Sequence, residues 1–227
     1  MLKNLNNNSE SKQRIMKGIE FFAGKQLLTT TFNNNNIQCF SLDNHQVRGA
    51  RKLDFNIDFF DFNYKAYNSK EFDFLYFGFP CTTFSKASGG KHFKNGFCPL
   101  TDMAFTSIEM LNRMFEIIEY LEPKVFYIEN PSGGLCNNYY FLNHWKNYQA
   151  HIYRISLGSF GFPTQKMTYI FTNSDIPIIH NPVTRQNGRY SKVNFDNLTL
   201  RQRQSYPLPF CEMIVENCLL NLSCQAK

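Results

Sequence analysis

The sequence predicts an α/β domain with a mostly parallel central sheet and helices on both faces. Short apolar runs of strand length alternate along the chain with amphipathic helical patterns, which is typical of strand–helix–strand units. Several of these runs end in glycine, cysteine or an acidic residue, as strands do where the carboxyl edge of a parallel sheet opens into a crevice. The chain has 227 residues, 43% of them hydrophobic, which is enough for one domain with a sizeable core.

The central strand is predicted at Phe72–Phe79, which is apolar and aromatic apart from Asp73 and Gly78. A continuous apolar run of this length suits a strand that is buried on both faces. Pro80 cannot extend the hydrogen-bond ladder, and Gly78 lets backbone approach a ligand closely. Cys81 follows at the crevice. It is either a placed nucleophile or one of the buried free cysteines that are common in proteins, and spacing alone does not separate these interpretations.

The part of the chain before this strand predicts the first half of a dinucleotide-binding fold. Its order is strand, glycine turn, helix, strand and acid, in which the glycine admits a ligand and the acid accepts hydrogen bonds from ribose hydroxyls. Turns and helix caps use the same residue types, so a structural interpretation stays open. The predicted segments are a disordered leader at Met1–Lys17, a strand at Gly18–Ala23 ending at Gly24, a helix at Leu27–Phe32, a polar turn at Asn33–Asn36, a strand at Ile37–Leu42 followed by Asp43, and a short strand ending near Asp58.

The part after Cys81 predicts a loop, a helix and three more strands. Lys86–Pro99 is rich in glycine and lysine and has no hydrophobic period, so it predicts a long mobile loop over the crevice. Leu100–Leu121 has the apolar spacing of an amphipathic helix, with Thr101 as its N-cap. The strands are predicted at Val125–Ile128, Ile152–Leu157 and Thr168–Thr172.

Polar residues follow one of these strands at Glu129 and Asn130. A carboxylate at the end of a buried strand needs a partner or a function, because burying an unpaired charge is costly. Glu129 is therefore either an acid that holds and donates a proton or a cap at the rim of the sheet.

Composition narrows the class of function. Seven dispersed cysteines without a CxxC pair predict neither a disulfide framework nor a zinc site, and they favour a reducing, cytoplasmic setting. No apolar run reaches about 18 residues, so neither a transmembrane helix nor a membrane partner is predicted. The net charge of +6 agrees weakly with a polyanionic partner such as nucleic acid.

An ordered series of motifs resembles the cytosine-C5 DNA methyltransferase family. IEFFAG (19–24) resembles the family's cofactor-binding turn, SLDN (41–44) the acid that holds the ribose, and DFFDF (58–62) the segment beside the adenine. GFPCTTFS (78–85) resembles the Pro-Cys catalytic loop, YIENPSG (127–133) the Glu-Asn motif and GSFGFPTQK (158–166) the Gly-x-Pro-Gln segment. SYPLPFCEMIVENCLL (205–220) is similar to the family's closing helix.

The resemblance implies a Rossmann-like S-adenosylmethionine-dependent methyltransferase fold and methylation of cytosine C5 in DNA through a covalent bond between Cys81 and C6. It implies no metal. The implied catalytic residues are Cys81, Glu129, Asn130, which orders the Pro80–Cys81 loop, and Gln165. The implied cofactor-binding residues are Phe22, Ala23, Gly24, Asp43, Asp58, Phe79 and Pro80. The implied nucleic-acid contacts are Ser85, Lys86, Lys91, Lys166, Arg185, Arg189, Arg201 and Arg203.

The chain departs from the family's pattern in three places. Gln26 stands where the first motif usually has its second glycine. Two arginines usually follow Gln165 at alternate positions, whereas this chain has Lys166, Met167, Thr168 and Tyr169. Within a single catalytic domain at 18–227, a short basic insert at 174–204 stands in place of a full target-recognition domain.

These departures leave three hypotheses about function. The first is a DNA cytosine-C5 methyltransferase, of bacterial, phage or nucleoid-associated type. The second is a degenerate methyltransferase-fold protein that binds DNA or a partner without turnover. The third is a C5-methyltransferase that acts on RNA or on a free cytosine nucleotide. Recognition of a target sequence is minimal, uses the loop at Lys86–Pro99, or depends on a partner protein.

Overall fold

A seven-stranded sheet forms the centre of the fold. The computed structural model describes residues 14–95, 97–179, 197–203 and 205–224. The strands are β1 (Lys17–Phe21), β2 (Gln38–Asp43), β3 (Phe55–Asn56), β4 (Phe74–Gly78), β5 (Phe93–Lys94), β6 (Cys98–Pro99), β7 (Val125–Pro131), β8 (His151–Ser156) and β9 (Met167–Thr172). The helices are α1 (Leu27–Asn34), α2 (Asp102–Leu121), α3 (Tyr139–Trp145), α4 (Leu200–Arg203) and α5 (Leu208–Cys224).

The sheet is mostly parallel, as the sequence predicts. Its strand order is β3-β2-β1-β4-β7-β9-β8, and β5 and β6 form a separate hairpin. The ladders from β3 to β7 are all parallel, while β9 runs antiparallel to both of its neighbours. The chain passes from β1 outward to β3 and then returns to β4 beside β1. Ligands bind at such a reversal of strand order, beyond the carboxyl ends of the strands.

Helices cover both faces of the sheet and bury two cores. α1 and α5 pack on one face, and α2 and α3 pack on the other. The central strand β4 serves both cores, since Phe74 and Tyr76 face α1 and α5 while Leu75 and Phe77 face α2 and α3. All four side chains are completely buried. Burial on both faces explains the continuous apolar run, and each such side chain contributes about 1.5–3 kcal/mol.

Strand β7 is longer than the sequence predicts. The prediction ended this strand at Ile128, with Glu129 and Asn130 after it, but β7 continues to Pro131. The cause is the antiparallel neighbour β9, which pairs with all three added residues. Glu129 and Asn130 are therefore buried side chains of a paired strand and not part of a turn.

The segment after Cys81 is also more structured than a mobile loop. It contains a 3-10 turn at Lys86–Ser88 and the β5–β6 hairpin. Phe93 stacks on Phe84 with ring centroids 5.2 Å apart, and Nδ1 of the buried His92 lies 2.8 Å from Thr101 Oγ1. These packed rings anchor a segment whose glycine and lysine content predicts mobility.

Two predictions in the first half of the chain need correction. Helix α1 extends to Asn34, past the start of the predicted turn at Asn33–Asn36, because the Asn33 side chain bonds the backbone N–H and carbonyl of Cys39. The leader predicted at Met1–Lys17 is already structured from residue 14, and residues 1–13 lie outside the described ranges. The Lys17 N–H, for example, donates to Asp73 Oδ2 at 3.0 Å.

Helix α3 was not predicted from the sequence at all. Its N-cap is Asn138, whose side-chain oxygen accepts hydrogen bonds from Tyr140 N and Phe141 N. Phe141 is completely buried against α2 and β9, so tertiary packing stabilises a helix too short to be recognised by its periodicity.

Candidate active site

The turn after β1 meets the acid at the end of β2. Gly24 N donates to Asp43 Oδ2 at 2.9 Å, and His45 N donates to Asp43 Oδ1 at 3.1 Å. The Ala23 N–H donates to the Leu42 carbonyl oxygen at 3.1 Å, which ties the turn to β2. Apart from Gly24 and its two chain neighbours, no atom of the described residues lies within 4 Å of the position that a Cβ on Gly24 would occupy. The half-buried carboxylate keeps lone pairs for further donors, so this edge suits a ligand that carries hydroxyl groups.

Aromatic rings line the neighbouring part of this edge. The half-buried Phe22 ring lies 4.8 Å from Phe59 and 5.8 Å from Phe79, measured between centroids. Pro80 follows Phe79 and is also half-buried. The exposed Asp58 carboxylate accepts a hydrogen bond from Phe60 N at 2.9 Å, so it caps a 3-10 turn. The residues predicted to bind a cofactor are thus assembled from the segments that follow β1, β2, β3 and β4.

Gln26 takes a left-handed backbone conformation, with φ of 58°, immediately before α1. Glycine adopts this conformation without strain, whereas a residue with a Cβ does so at a cost of about 1–2 kcal/mol. The Gln26 side chain is completely buried, its Nε2 donates to the Arg51 carbonyl oxygen, and its Oε1 accepts from Ser41 Oγ at 3.0 Å. The Gln26 side chain therefore connects the start of α1 to β2 and to the segment after β2. We call these hydrogen bonds the Gln26 clamp; they stand where the family's motif usually has a glycine.

Two substitutions distinguish the energetic cost of the strained backbone at Gln26 from the contribution of its side-chain hydrogen bonds. Gln26→Gly and Gln26→Ala both lose the amide hydrogen bonds, each of which contributes roughly 0.5–1.5 kcal/mol, but only Gln26→Ala keeps the strain. We expect the free energy of unfolding in urea to fall from wild type to Gln26→Gly and again to Gln26→Ala, with the two variants about 1 kcal/mol apart. If Gln26→Ala, which keeps the strain, is as stable as wild type, the clamp contributes nothing.

Cys81 lies on a tight turn directly after β4. Its carbonyl oxygen accepts hydrogen bonds from Phe84 N at 3.0 Å and from Ser85 N at 2.7 Å. The turn packs closely on the segment after β7, where Gly134 N donates to the Phe84 carbonyl oxygen at 2.6 Å. A Cβ on Gly133 would lie 2.1 Å from the same oxygen, so glycine is required there. The cysteine turn is therefore held against the strand that carries Glu129.

The backbone before Cys81 is fixed by the two polar residues of β7. Phe79 N donates to the Glu129 carbonyl oxygen at 3.1 Å, and Asn130 Nδ2 donates to the Phe79 carbonyl oxygen at 3.0 Å. Both backbone groups of Phe79 are satisfied, which sets the direction in which the chain leaves β4.

Two hydroxyl groups hold the Glu129 carboxylate. Thr168 Oγ1 bonds to Oε1, and the Tyr206 hydroxyl donates to Oε2 at 2.9 Å. Both groups that bond the acid directly are neutral hydroxyls.

Burial and two nearby charges of opposite sign act on the pKa of the Cys81 thiol. Burial raises its pKa, the nearby Glu129 charge raises the pKa further, and the Lys166 ammonium lowers it. Lys166 thus supplies a positive charge that acts on Cys81, close to the positions of the family's usual arginines. Attack by the sulfur requires the thiolate, so these charges control the reactivity of the site.

Lys166 is held in a strained backbone conformation, with φ of 25°. Its Nζ donates to the Arg203 carbonyl oxygen at 2.6 Å and lies 5.2 Å from the centroid of the Phe162 ring. Gln165, just before it, has an exposed side chain, and its carbonyl oxygen accepts from Ser156 Oγ at 2.7 Å. The structure thus brings the Lys166 charge into the site, while Gln165 contacts β8 through its backbone.

Some of the predicted nucleic-acid contacts surround a cavity of about 230 Å³ beside the cysteine turn. Ser85 and Lys86 line this cavity, and Lys91 is exposed on the same segment. The Arg203 Nε donates to the Leu198 carbonyl oxygen at 2.9 Å, so this guanidinium is partly engaged within the protein. Arg201 lies on α4, and Arg185 and Arg189 lie outside the described residues.

Glu20 is a buried acid that the motif comparison did not single out. It accepts hydrogen bonds from both the N–H and the hydroxyl of Thr29, and so caps α1 from β1. Burial raises its pKa to about 7, against the opposing effect of the Thr29 bonds. A charged residue inside the apolar run at 19–23 is a signal that could have revealed it, because a buried acid needs partners. No comparable signal pointed to Thr168 or Tyr206.

The described ranges contain neither a candidate metal site nor a candidate membrane-spanning helix. Within them, no group of three or more His, Cys, Asp or Glu side chains is arranged to hold a metal ion. No helix in that part of the chain is long and apolar enough to cross a membrane.

The strand order and the site at its carboxyl edge define a Rossmann-like α/β domain. The profile of the C-5 cytosine-specific DNA methylase family matches residues 16–156, more than half of the 227 residues. The chain therefore belongs to the C-5 cytosine-specific DNA methylase family, as its motifs predict.

The individual relatives match this chain at low sequence identity or over only part of its length. A protein of Frog virus 3 (isolate Goorha), described as "Probable DNA (cytosine-5)-methyltransferase", is 32% identical over 99 residues, which cover 42% of this chain and 45% of that protein. The structure of Entamoeba histolytica methyltransferase EhMeth aligns with a TM-score of 0.48 at 17% identity, over 76% of this chain and 58% of that one. A DNMT2 mutant from Spodoptera frugiperda aligns with a TM-score of 0.45 at 16% identity, over 69% and 49%. The chain spans about half the length of these relatives.

Proposed function

We propose that this protein transfers a methyl group from S-adenosylmethionine to C5 of cytosine in DNA. The observation that carries the proposal is the bonding of Phe79, two residues before Cys81, to Glu129 and Asn130, in a chain of the C-5 cytosine-specific DNA methylase family. Addition to a pyrimidine ring needs a nucleophile and an acid held in register. A binding scaffold without turnover has no use for this pairing.

The edge formed by β1, β2 and β4 fits the proposed cofactor. Open space beside Gly24 admits a ligand to the backbone, Asp43 offers acceptors for ribose hydroxyls, and Phe22 offers an apolar surface. Bound S-adenosylmethionine would supply an electrophilic methyl group. The other residues proposed to hold it are Ala23, Asp58, Phe79 and Pro80.

The proposed role of Cys81 follows from the chemistry of the ring. Cytosine C5 is a poor nucleophile until the ring is activated by addition at C6. The Cys81 thiolate would form a C–S bond at C6 and displace an electron pair toward C5 and N3. Lys166 favours the thiolate that this step requires, because its charge lowers the pKa of the thiol. Once C5 is methylated, loss of its proton to a base returns the electron pair, and the C–S bond breaks to release the thiolate.

Glu129 would act at N3 of the ring. A proton or a strong hydrogen bond delivered there offsets the negative charge that develops as sulfur adds to C6. The Asn130 side chain would keep the Phe79–Cys81 backbone in place while this happens. Gln165 is proposed to shape the pocket beside the ring.

The target base lies out of reach inside a duplex, so it would be flipped out or already unpaired. The exposed side chains of Lys86 and Lys91 suit phosphate contacts, which position a nucleic acid without reading its sequence. The remaining proposed contacts are Ser85, Lys166, Arg185, Arg189, Arg201 and Arg203. A partner protein would supply any sequence recognition that these residues lack.

A second candidate is favoured by the shortness of the insert at 174–204. RNA or a free cytosine nucleotide would be methylated by the same site without a domain that reads duplex sequence.

Incubation with tritiated S-adenosylmethionine distinguishes these substrates. We expect label to enter duplex DNA in preference to tRNA and dCMP, because phosphate contacts along a duplex add to binding, and we expect 5-methylcytosine on hydrolysis of the product. Label confined to tRNA or dCMP would move the proposal to the second candidate. Label in none of them, with no cofactor binding by calorimetry, would leave a degenerate binding protein.

A further inference from the structure

The acid of the candidate site is bonded by a residue from a distant part of the chain. Tyr206 lies just before α5, 77 positions after Glu129, and its hydroxyl donates to Glu129 Oε2 at 2.9 Å. The other carboxylate oxygen is bonded by Thr168 on β9. Tyr206 falls outside the part of the chain that the family profile matches.

Contacts with neighbouring side chains hold Tyr206 in this position. Its ring lies against Phe210, with centroids 5.1 Å apart, and edge-on to Tyr76 at 6.1 Å. A Cβ on Gly78 would lie 3.0 Å from the Tyr206 hydroxyl, so glycine at the end of β4 leaves room for it. Burial raises the pKa of Tyr206 well above its ordinary value, and the Glu129 charge raises it further, so the hydroxyl stays neutral.

The same segment also holds the positive charge of the site. The Arg203 carbonyl oxygen accepts a hydrogen bond from Lys166 Nζ at 2.6 Å. Residues 203 and 206 therefore bond the two charged groups that act in opposite directions on the Cys81 thiol.

We propose that Tyr206 is a positioning residue that holds the Glu129 carboxylate in place for its proposed proton transfer. The proposal rests on the proposed function. An arginine in this place would favour only the ionised carboxylate, because it can donate hydrogen bonds but cannot accept them. The Tyr206 hydroxyl donates to the carboxylate and accepts from the protonated acid, so both states of a proton-transferring Glu129 are satisfied.

Other titratable groups share this environment. Those that interact with Glu129, with its tyrosine neighbours or with Cys81 are Glu20 on β1, Tyr76 on β4, Cys81 after β4, Lys166 before β9, Tyr206 before α5 and Cys211 on α5. Removal of Tyr206 changes one donor and leaves the other groups in place.

The variant Tyr206→Phe removes the hydroxyl and keeps the ring. We expect kcat for cytosine methylation to fall roughly tenfold, with KM for DNA and for S-adenosylmethionine unchanged. Loss of Tm with kcat unchanged would indicate a merely structural role. Gly78→Ala, which presses on the same hydroxyl, should also lower kcat.

Tyr127→Phe is the matched control. Tyr127 on β7 also donates a hydrogen bond through its hydroxyl, but to Asn217 Oδ1 of α5 at 2.7 Å, away from the carboxylate. This variant should lower Tm without changing kcat. An active wild-type protein whose kcat is unchanged by Tyr206→Phe overturns the positioning role alone. A wild-type protein that methylates no cytosine substrate overturns the proposed function, and the role of Tyr206 with it.

Discussion

Cys81→Ser should abolish methyl transfer, with a loss in rate of roughly 10³ or more, while cofactor binding stays near the wild-type level. The serine hydroxyl is not ionised at accessible pH and is a harder nucleophile than a thiolate, so addition at C6 should stop. The cofactor is expected to bind at the turn after β1, which this substitution does not touch. Incorporation of tritium from S-adenosylmethionine and calorimetry with the unlabelled cofactor measure the two effects separately.

A 5-fluorocytosine substrate provides the positive test of the same nucleophile. Fluorine at C5 cannot leave as a proton does, so the wild-type protein should be trapped as a covalent adduct that peptide mapping locates at Cys81. Because burial raises the pKa of this thiol, adduct formation should be faster as pH rises above neutral. Cys98→Ser, at an exposed position on the adjacent hairpin, is the matched control and should keep full activity. Retention of most activity by Cys81→Ser would show that another group attacks the ring.

The parts of the fold that the sequence predicts are those whose signal is local. The apolar run of β4 and the helical period of α2 report burial directly, and Thr101 caps α2 as predicted by accepting a hydrogen bond from Ala104 N. The full length of β7 could not be predicted in this way, because it depends on pairing with β9, about forty residues later. The order of the segment after Cys81 could not be predicted for the same reason. Its anchoring rings, Phe93 and His92, contact Phe84 and Thr101, which lie about nine residues away in sequence.

The same distinction applies to the candidate site. Gly24, Cys81 and Glu129 were each predicted to end or follow a strand, so their sequence positions predicted that they share one edge of the sheet. The sequence identified Gln26 only as a departure from the family's motif, because its buried hydrogen bonds to Ser41 and Arg51 are seen only in the structure. Thr168 and Tyr206 reach Glu129 across 39 and 77 positions of sequence, and no spacing rule connects residues so far apart.

Glu129→Gln should lower kcat by a factor of about 10² or more, because the amide keeps the size and polarity of the side chain but cannot deliver a proton. The hydroxyls of Thr168 and Tyr206 can still bond the amide, since a hydroxyl both donates and accepts, so Tm should barely change. Steady-state kinetics, thermal unfolding and calorimetry with the cofactor separate the loss of chemistry from losses of stability or binding.

Glu20→Gln is the matched control for this variant, since it neutralises another buried acid on the neighbouring strand β1. The pKa of Glu20 is raised from 4.5 to about 7, so the fold loses stability as pH rises between these two values, and the loss is complete above about pH 7. Replacement by the neutral glutamine should remove this pH dependence while kcat stays near the wild-type value. If Glu129→Gln instead lost much of its stability and kept most of its kcat, Glu129 would be a cap within the sheet, and another group would have to neutralise the charge at N3.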